Sequence, residues 1–360
     1  MGIVASTLTQ MYPPKPKFSV DQIPDLTGQV LIVTGANAGI GKETTKALLS
    51  HNAKVYMAAR SEEKVKAAIE ELKTATGKEA FFLQLDLSDL HSIKRAVEEF
   101  TSKETQLHVL FNNAWVFAHL HSPVIVDPLL AVSWYGWIRI CIMIVHIDLL
   151  VRTRPTSCLQ HRDTIYKLAP MFLVNGRTSH FYLTKLLLPT LISTAAEAGK
   201  PVRVVNTSSS TSEFAGGKLR YEAFTEGPAR QRMGMSSMYS QSKFGNVLFS
   251  NELARLYGDK GIVSTSLNPG NLRTELLRHT PSVQAKIIDF LFLYPAPYGA
   301  LTQLWAGTSE QGASMNGKAR NSSYYLIPWA RIGNTPKGGN DLEAQKALWE
   351  WAEKQISAIQ

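Results

Sequence analysis

Tyr239 and Lys243 stand four apart in Tyr239-Ser-Gln-Ser-Lys243, a spacing that puts a phenol and an ammonium on one face of a helix. A phenol with a pKa near 10 is a poor acid–base catalyst at neutral pH. An ammonium about 4 Å away, at an effective dielectric near 20, would contribute about 4 kcal/mol and bring the phenol close to working pH. Tyr-x-x-x-Lys alone is common on helices, where surface packing explains it. Its weight here comes from two features upstream, a glycine-punctuated stretch at Gly35 to Gly41 and the run Ser208-Ser209-Ser210.

In the first of these, Val30-Leu-Ile-Val33 has the β-branched and aliphatic character of a strand buried on both faces. Gly35, Gly39 and Gly41 interrupt it, and a helix-forming run begins at Lys42. A strand that turns on glycines into a helix leaves backbone N–H groups free at the positive helix end. The missing side chains let a pyrophosphate approach them. A nucleotide-triphosphate loop would need Gly, four residues, Gly, Lys and Ser/Thr. Here five residues separate Gly35 from Gly41, and Glu43 stands where the metal-holding hydroxyl should be. The dinucleotide reading is left.

The elements that must carry these groups follow from the pattern of the chain. Strands are expected at 30–33, Lys54 to Arg60, Ala80 to Asp86, Leu107 to Asn112, Pro201 to Asn206, Ile262 to Leu267 and Tyr324 to Ile327. Amphipathic helices are expected after Gly41, from Ser61 to Thr76, after a Ser88 or Asp89 cap, from Ser237 to Tyr257 and from Asp341 to Ile356, with a polar loop at 213–236. Strands alternating with helices make a doubly wound parallel α/β sheet, with the chemistry beyond the carboxyl ends of its strands. The second strand ends in Ala59-Arg60. No carboxylate is there to take a ribose 2′-hydroxyl, and an arginine suits a 2′-phosphate, which favours NADP over NAD. Asp86 could meet an adenine edge or begin a turn.

Composition sets the outer limits. The chain has 360 residues, 44% of them hydrophobic and 19% charged, which describes a soluble globular protein with an ample core. Its net charge of +9 is spread without runs, a mild attraction for phosphorylated ligands and no nucleic-acid footprint. Two cysteines exclude a disulfide framework and suit a cytoplasmic setting. Met1-Gly2-Ile-Val-Ala-Ser6 fits a myristoylation pattern, the one pointer to a membrane surface; such short matches arise by chance, and a disordered start is the expectation. Homo-oligomerisation is left open.

From Trp115 to Val174 the character changes. Both cysteines, three of seven tryptophans and four of nine histidines lie there, and glutamate is absent from Glu104 to Glu197. No uncharged piece approaches the ~20 apolar residues of a membrane span. His119 with His121, or Cys158 with His161, lacks a second matched pair for a metal. No metal site is expected.

Taken together, Thr34-Gly-Ala-Asn-Ala-Gly-Ile-Gly41, Asp86, Asn112-Asn-Ala114, Asn206-Thr-Ser-Ser209, Tyr239-x-x-x-Lys243 and Pro269-Gly270 resemble the short-chain dehydrogenase/reductase family. They stand in the family's order across roughly residues 28 to 330. The Ser209-to-Tyr239 spacing and Ala59-Arg60 are most similar to its retinol-dehydrogenase-like branch. Phe18-Ser-Val-Asp-Gln-Ile-Pro-Asp-Leu-Thr-Gly28 resembles filamentous-fungal members, many of them tailoring enzymes of secondary metabolism. The resemblance implies a single Rossmann-type domain over 28–335, after a lead-in at 1–27 and before a C-terminal helix within 336–360. It implies Tyr239 as acid/base, Lys243 on the nicotinamide ribose, Ser209 on the substrate carbonyl and Asn175 as the active-site asparagine. NADP would lie against Gly35, Asn37, Gly39, Ile40, Gly41, Arg60, Asp86, Asn113, Tyr239, Lys243 and Thr274.

This sequence departs from the family at two places. Trp115 replaces the glycine that follows Asn-Asn-Ala, and the gap from Asn175 to His180 is one residue longer than usual, a turn of about 100° on a helix. The stretch 115–174 also carries roughly forty residues more than members need, well beyond ordinary loops. Its composition suggests translated non-coding sequence, such as a retained intron. The expectation is an NADP(H)-dependent oxidoreductase that interconverts an alcohol and a ketone or aldehyde on a lipophilic small molecule, in a tailoring step of fungal secondary metabolism. The lipophilic character rests on Ile287 to Tyr294, where the family's substrate flap lies. The competing expectation is a non-catalytic NADP-binding or interaction protein, disabled by Trp115 and the insertion.

Overall fold

The computed structural model describes residues 9–114, 176–225, 227–272, 293–317 and 322–357. Eight strands form one sheet: Val30–Thr34 (β1), Lys54–Ala59 (β2), Phe81–Gln84 (β3), Val109–Asn112 (β4), Val202–Thr207 (β5), Ile262–Leu267 (β6), Tyr325–Ile327 (β7) and Arg331–Ile332 (β8). Their order is β8-β7-β6-β5-β4-β1-β2-β3. Every neighbouring pair is parallel except β7 with β8. The order reverses between β1 and β4, where the two crossovers leave in opposite directions and open a crevice at the strand ends. Residues Asn316–Gly317 and Ser322–Ser323 pair as a separate short ribbon.

Alternation of side chains explains why these strands are buried on both faces. Leu31, Val33, Val55, Met57, Val109 and Phe111 meet helices α1 (Gly39–Ser50), α2 (Glu62–Thr76) and α6 (Ala296–Thr308) on one side. Val30, Ile32, Tyr56, Leu110 and Val204 meet α3 (Leu90–Lys103), α4 (Gly176–Ala198), α5 (Met235–Tyr257) and α7 (Leu342–Ser357) on the other. The expected single α/β doubly wound sheet is what forms. Two strands come out at least two residues shorter than the sequence suggests. β3 stops at Gln84 because Asp86 turns the chain toward α3, and β4 starts at Val109.

The expected loop at 213–236 contains helical turns at Tyr221–Ala223 and Pro228–Arg232. Pro228 occupies the first helical turn, where its fixed φ is already helical and its missing N–H costs nothing. The lead-in is also more structured than its prolines suggest. Phe18, Ile23 and Leu26 are buried in the same core layer as α1, and the Leu26 N–H donates to the His51 carbonyl at 2.8 Å. Three such side chains contribute roughly 1.5–3 kcal/mol each, enough to fix the lead-in to the sheet's outer layer.

Asn175, Thr274, Trp115, the histidines and cysteines between 115 and 174, the myristoylation pattern and most of Ile287 to Tyr294 lie outside the described residues. Among the described residues, no helix is long and apolar enough to cross a membrane.

Candidate active site

The strand ends at the crevice are brought level by the sheet register, which aligns Val33 with Phe111 and Asn112 with Asn206. The loop after β1 is then held by Thr34. Its hydroxyl lies 3.1 Å from the Phe111 carbonyl and 3.1 Å from His180 Nε2, and it accepts the N–H groups of Asn113 at 3.0 Å and Ala114 at 2.9 Å. Asn113 Nδ2 returns a bond to the Thr34 carbonyl at 2.9 Å. Both hydroxyl lone pairs accept backbone amides, and the single hydroxyl proton faces both the Phe111 carbonyl and His180 Nε2. Burial, helped by the charge of Lys243, pushes His180 down to about 3. It is neutral at physiological pH.

The three glycines of the loop have different duties. A Cβ on Gly35 would stand 2.9 Å from Ala114 Cα, and one on Gly41 would strike the Gly35 carbonyl and come within 2.7 Å of Asn113 Nδ2. These two let the loop pack against β4. Gly39 has φ +54° and nothing within 4 Å of its would-be Cβ, so it faces open space. Among the described residues no side chain caps α1, whose N-cap is Ala38. A bare, glycine-lined helix start of this kind fits a pyrophosphate. Asn37 is half-buried beside it, and Ile40 packs on the core against Gly299.

Arg60 is exposed immediately after β2, and among the described residues its carbonyl is engaged by Gln84 Nε2 at 2.9 Å. Asp86 turns the chain. Its Oδ1 accepts from the Ser88 N–H at 2.8 Å and the Ser88 hydroxyl at 2.6 Å, the second of the two readings that the sequence left open.

Ser209, Tyr239 and Lys243 meet where β5 ends against α5. Ser209 begins a short helical turn and its Oγ accepts the Thr211 N–H at 3.2 Å. Its carbonyl is tied to the Tyr325 hydroxyl at 3.1 Å and the Ser212 hydroxyl at 2.6 Å. The Ser209 hydroxyl hydrogen-bonds the Tyr239 phenol, which holds the phenol's pKa down, but burial outweighs it and the pKa stands above the ordinary value. Lys243 is buried, and burial pushes its ammonium down to about 8. Its Nζ lies 5.9 Å from the centroid of the Tyr239 ring and donates to the Thr207 carbonyl at 3.1 Å.

The side chains therefore share a face as the spacing requires, yet the expected lowering of the phenol is not reached. One donor of the ammonium goes to a backbone oxygen, and desolvation of the phenol dominates. Sequence reasoning missed Thr34, His180 and Asn246, whose Nδ2 also donates to the Thr207 carbonyl at 2.9 Å. Asn246 follows Lys243 by three residues on the same helix face, a signal that was available. Among the described residues no group of three or more His, Cys, Asp or Glu could hold a metal.

A glycine cradle at the switch point of a parallel sheet, with a Ser, Tyr and Lys cluster two strands away, defines a nucleotide-dependent oxidoreductase architecture. Comparison with known proteins narrows it. A family profile described as short chain dehydrogenase matches residues 29–151. A short-chain dehydrogenase/reductase of Armillaria gallica is 46% identical over 355 residues, covering 99% of both chains. One from Phomopsis amygdali is 37% identical over 96% of this chain and 95% of its own. Among solved structures, Pseudomonas aeruginosa RhlG in complex with NADP matches with TM-score 0.56 and 22% identity, over 84% of this chain and 95% of that one. L-sorbose reductase from Gluconobacter frateurii, complexed with NADPH and L-sorbose, matches with TM-score 0.55 and 15% identity, over 85% and 98%. The chain belongs to the short-chain dehydrogenase/reductase family.

Proposed function

We propose that the protein is an NADP(H)-dependent oxidoreductase that interconverts an alcohol and a ketone or aldehyde on a lipophilic small molecule. The observation that carries this is the convergence of Ser209, Tyr239 and Lys243 at the end of β5, beside the crevice that the glycine loop opens. Gly39 and the bare start of α1 would hold the pyrophosphate, Arg60 the 2′-phosphate, and Asn113 with Lys243 the nicotinamide half. When bound, the nicotinamide supplies the hydride for reduction or takes it for oxidation.

In reduction, Ser209 and Tyr239 would hydrogen-bond the substrate carbonyl oxygen, and Tyr239 would pass its proton to that oxygen as the alcohol forms. A phenol pushed up by burial keeps its proton at neutral pH, which is the state a general acid needs. Lys243 would stabilise the phenolate left behind. NADP and NADPH in the two solved relatives named above agree with the exposed Arg60 as a 2′-phosphate partner. A tailoring role in fungal secondary metabolism is supported by the lead-in phrase at Phe18 to Gly28 and by fungal relatives across nearly the whole chain. Asn175 and Thr274 keep their proposed roles as active-site asparagine and nicotinamide contact.

The test is cofactor consumption with a panel of hydrophobic ketones and aldehydes, run beside Tyr239→Phe. The substitution removes the hydroxyl with little change in volume, so folding and NADPH binding persist while turnover falls at least about 100-fold. A Phe variant with near-normal turnover contradicts the assignment. Binding of NADPH with no turnover of any carbonyl favours the non-catalytic reading.

A further inference from the structure

The N-terminal segment is joined to the proposed active site by a buried chain of amides. Residues 9–11 are helical. Gln10 is only 2% exposed, as is Asn268 at the end of β6. The Gly270 N–H donates to Asn268 Oδ1 at 3.0 Å. Because a backbone N–H can only donate, this bond fixes which way the Asn268 amide faces. Its Nδ2 then points away from the turn, and Gln10 Oε1 accepts it at 2.8 Å. The Gln10 amide is thereby oriented as well. The segment is further tied by Arg331, whose guanidinium reaches the Thr9 carbonyl at 3.3 Å.

The turn that this chain of bonds reaches is closely walled. Gly270 has φ +90°, and a Cβ there would come within 2.7 Å of the Trp329 indole. Asn268 N–H donates to the Leu326 carbonyl at 2.9 Å, and the Ser208 N–H, next to Ser209, donates to Leu267 at 2.6 Å. Ser208 in turn bonds the Lys243 carbonyl at 2.7 Å. The Asn268-Pro269-Gly270 turn is thus one strand from the Ser209, Tyr239 and Lys243 cluster, on the side away from the pyrophosphate cradle. A dinucleotide stretched from that cradle toward the cluster brings its nicotinamide end to this side.

We propose that Gln10 is a positioning residue for the nicotinamide half of the cofactor site, acting through Asn268 on the turn at Gly270. The proposal rests on the NADP(H) reading given above. Gln10 touches no reacting atom; it holds the Asn268 amide, which holds the turn. Losing the acceptor leaves the buried Nδ2 of Asn268 unpaired, and the amide is freed to rotate away from Gly270. The consequence is confined to one end of the cofactor, because Gly35, Gly39 and Arg60 stand around β1 and β2, away from the β6 turn.

The experiment uses the full chain with Gln10→Met, which keeps the volume and removes the strong acceptor, and Gln10→Glu, which keeps an acceptor oxygen. Each is titrated with NADPH and with 2′-phospho-ADP-ribose, the same molecule lacking only the nicotinamide ring. Gln10→Met is expected to weaken NADPH about fivefold, the value of one lost hydrogen bond. Binding of the fragment should stay within about twofold, and Gln10→Glu should match the unmodified protein for both ligands. Equal weakening of both ligands by Gln10→Met overturns the proposal, as does no weakening of either, or a Glu variant as weak as Met. If Gln10→Met does not accumulate folded, the Glu variant and amide exchange at Gly270 decide: unmodified exchange and NADPH affinity support the link, while a Glu variant with faster exchange or weaker NADPH overturns it. An unmodified protein that binds neither ligand removes the NADP(H) reading itself, a result separate from all of these.

Discussion

Lys243 donates one ammonium hydrogen to the Thr207 carbonyl, 3.1 Å away, while its Nζ stands 5.9 Å from the centre of the Tyr239 ring. Asn246 donates to the same carbonyl, so that oxygen has two donors and the ammonium is one of them.

A stability test follows from the burial of that charge. Lys243 is pushed down to about 8 from an ordinary 10.5, so the folded state binds its proton less tightly than the unfolded state. The cost is fully present below about pH 8, where both states are protonated, and is relieved as pH rises to about 10.5. Over that window the unmodified protein should gain about 3 kcal/mol relative to Lys243→Met. Thr207 keeps Asn246 as a donor in the variant, so its carbonyl is not orphaned. Urea melts of both proteins at pH 7.5 and 10 check the difference; parallel curves would show that Lys243 is not desolvated.

Cofactor choice is the second expectation. Arg60 is exposed beside Ala59 and, among the described residues, its guanidinium makes no bond. NADPH should bind at least about tenfold more tightly than NADH, the worth of charge-assisted hydrogen bonds to a phosphate. Arg60→Ala should erase most of that gap by weakening NADPH alone. Fluorescence titration of both cofactors measures it, and equal affinities in the unmodified protein sink the idea.

Much of this architecture is legible from residues alone. β6 runs from Ile262 to Leu267 and β5 follows Pro201 as expected, because β-branched residues (Ile262, Val263 and Thr265; Val202, Val204 and Val205) mark them despite the polar residues between. The glycine loop and the Tyr239–Lys243 pair are local patterns, and local spacing survives folding. The partners are not local. His180 meets Thr34 across 146 residues, and Gln10 meets Asn268 across 258; no period in the sequence relates them. Lys243 was expected to serve Tyr239 because spacing shows which side chains share a face. It does not show which backbone oxygen competes for the ammonium.

His180 supplies a pH-dependent test of the Thr34 junction. Burial first, and the charge of Lys243 second, push the imidazole down to about 3 from 6.5, so the folded state excludes a proton that the unfolded chain binds. The stability this holds is complete above about pH 6.5 and is lost progressively as pH falls toward 3. Between pH 7 and pH 4.5 the unmodified protein should lose about 2–3 kcal/mol more than His180→Gln. The comparison of differences removes any constant cost of the substitution. Equal losses in chemical denaturation at the two pH values would falsify the buried, neutral assignment.

The glycines of the β1–α1 loop make the last test, because the structure assigns them opposite duties. A methyl on Gly41 strikes the Gly35 carbonyl and crowds Asn113 Nδ2, atoms that belong to the packed junction and cannot swing aside. Gly41→Ala should therefore cost roughly 1–3 kcal/mol of stability or more. A methyl on Gly39 meets nothing within 4 Å and suffers only the backbone cost of φ +54°, about 1–2 kcal/mol at most. What it does meet is the space proposed for the pyrophosphate. Gly39→Ala should lower NADPH affinity by far more than its small loss of stability would suggest. Thermal melts and NADPH titrations on both variants separate the two effects. If Gly39→Ala binds NADPH as the unmodified protein does, the pyrophosphate does not lie over Gly39 and the cradle must be placed elsewhere.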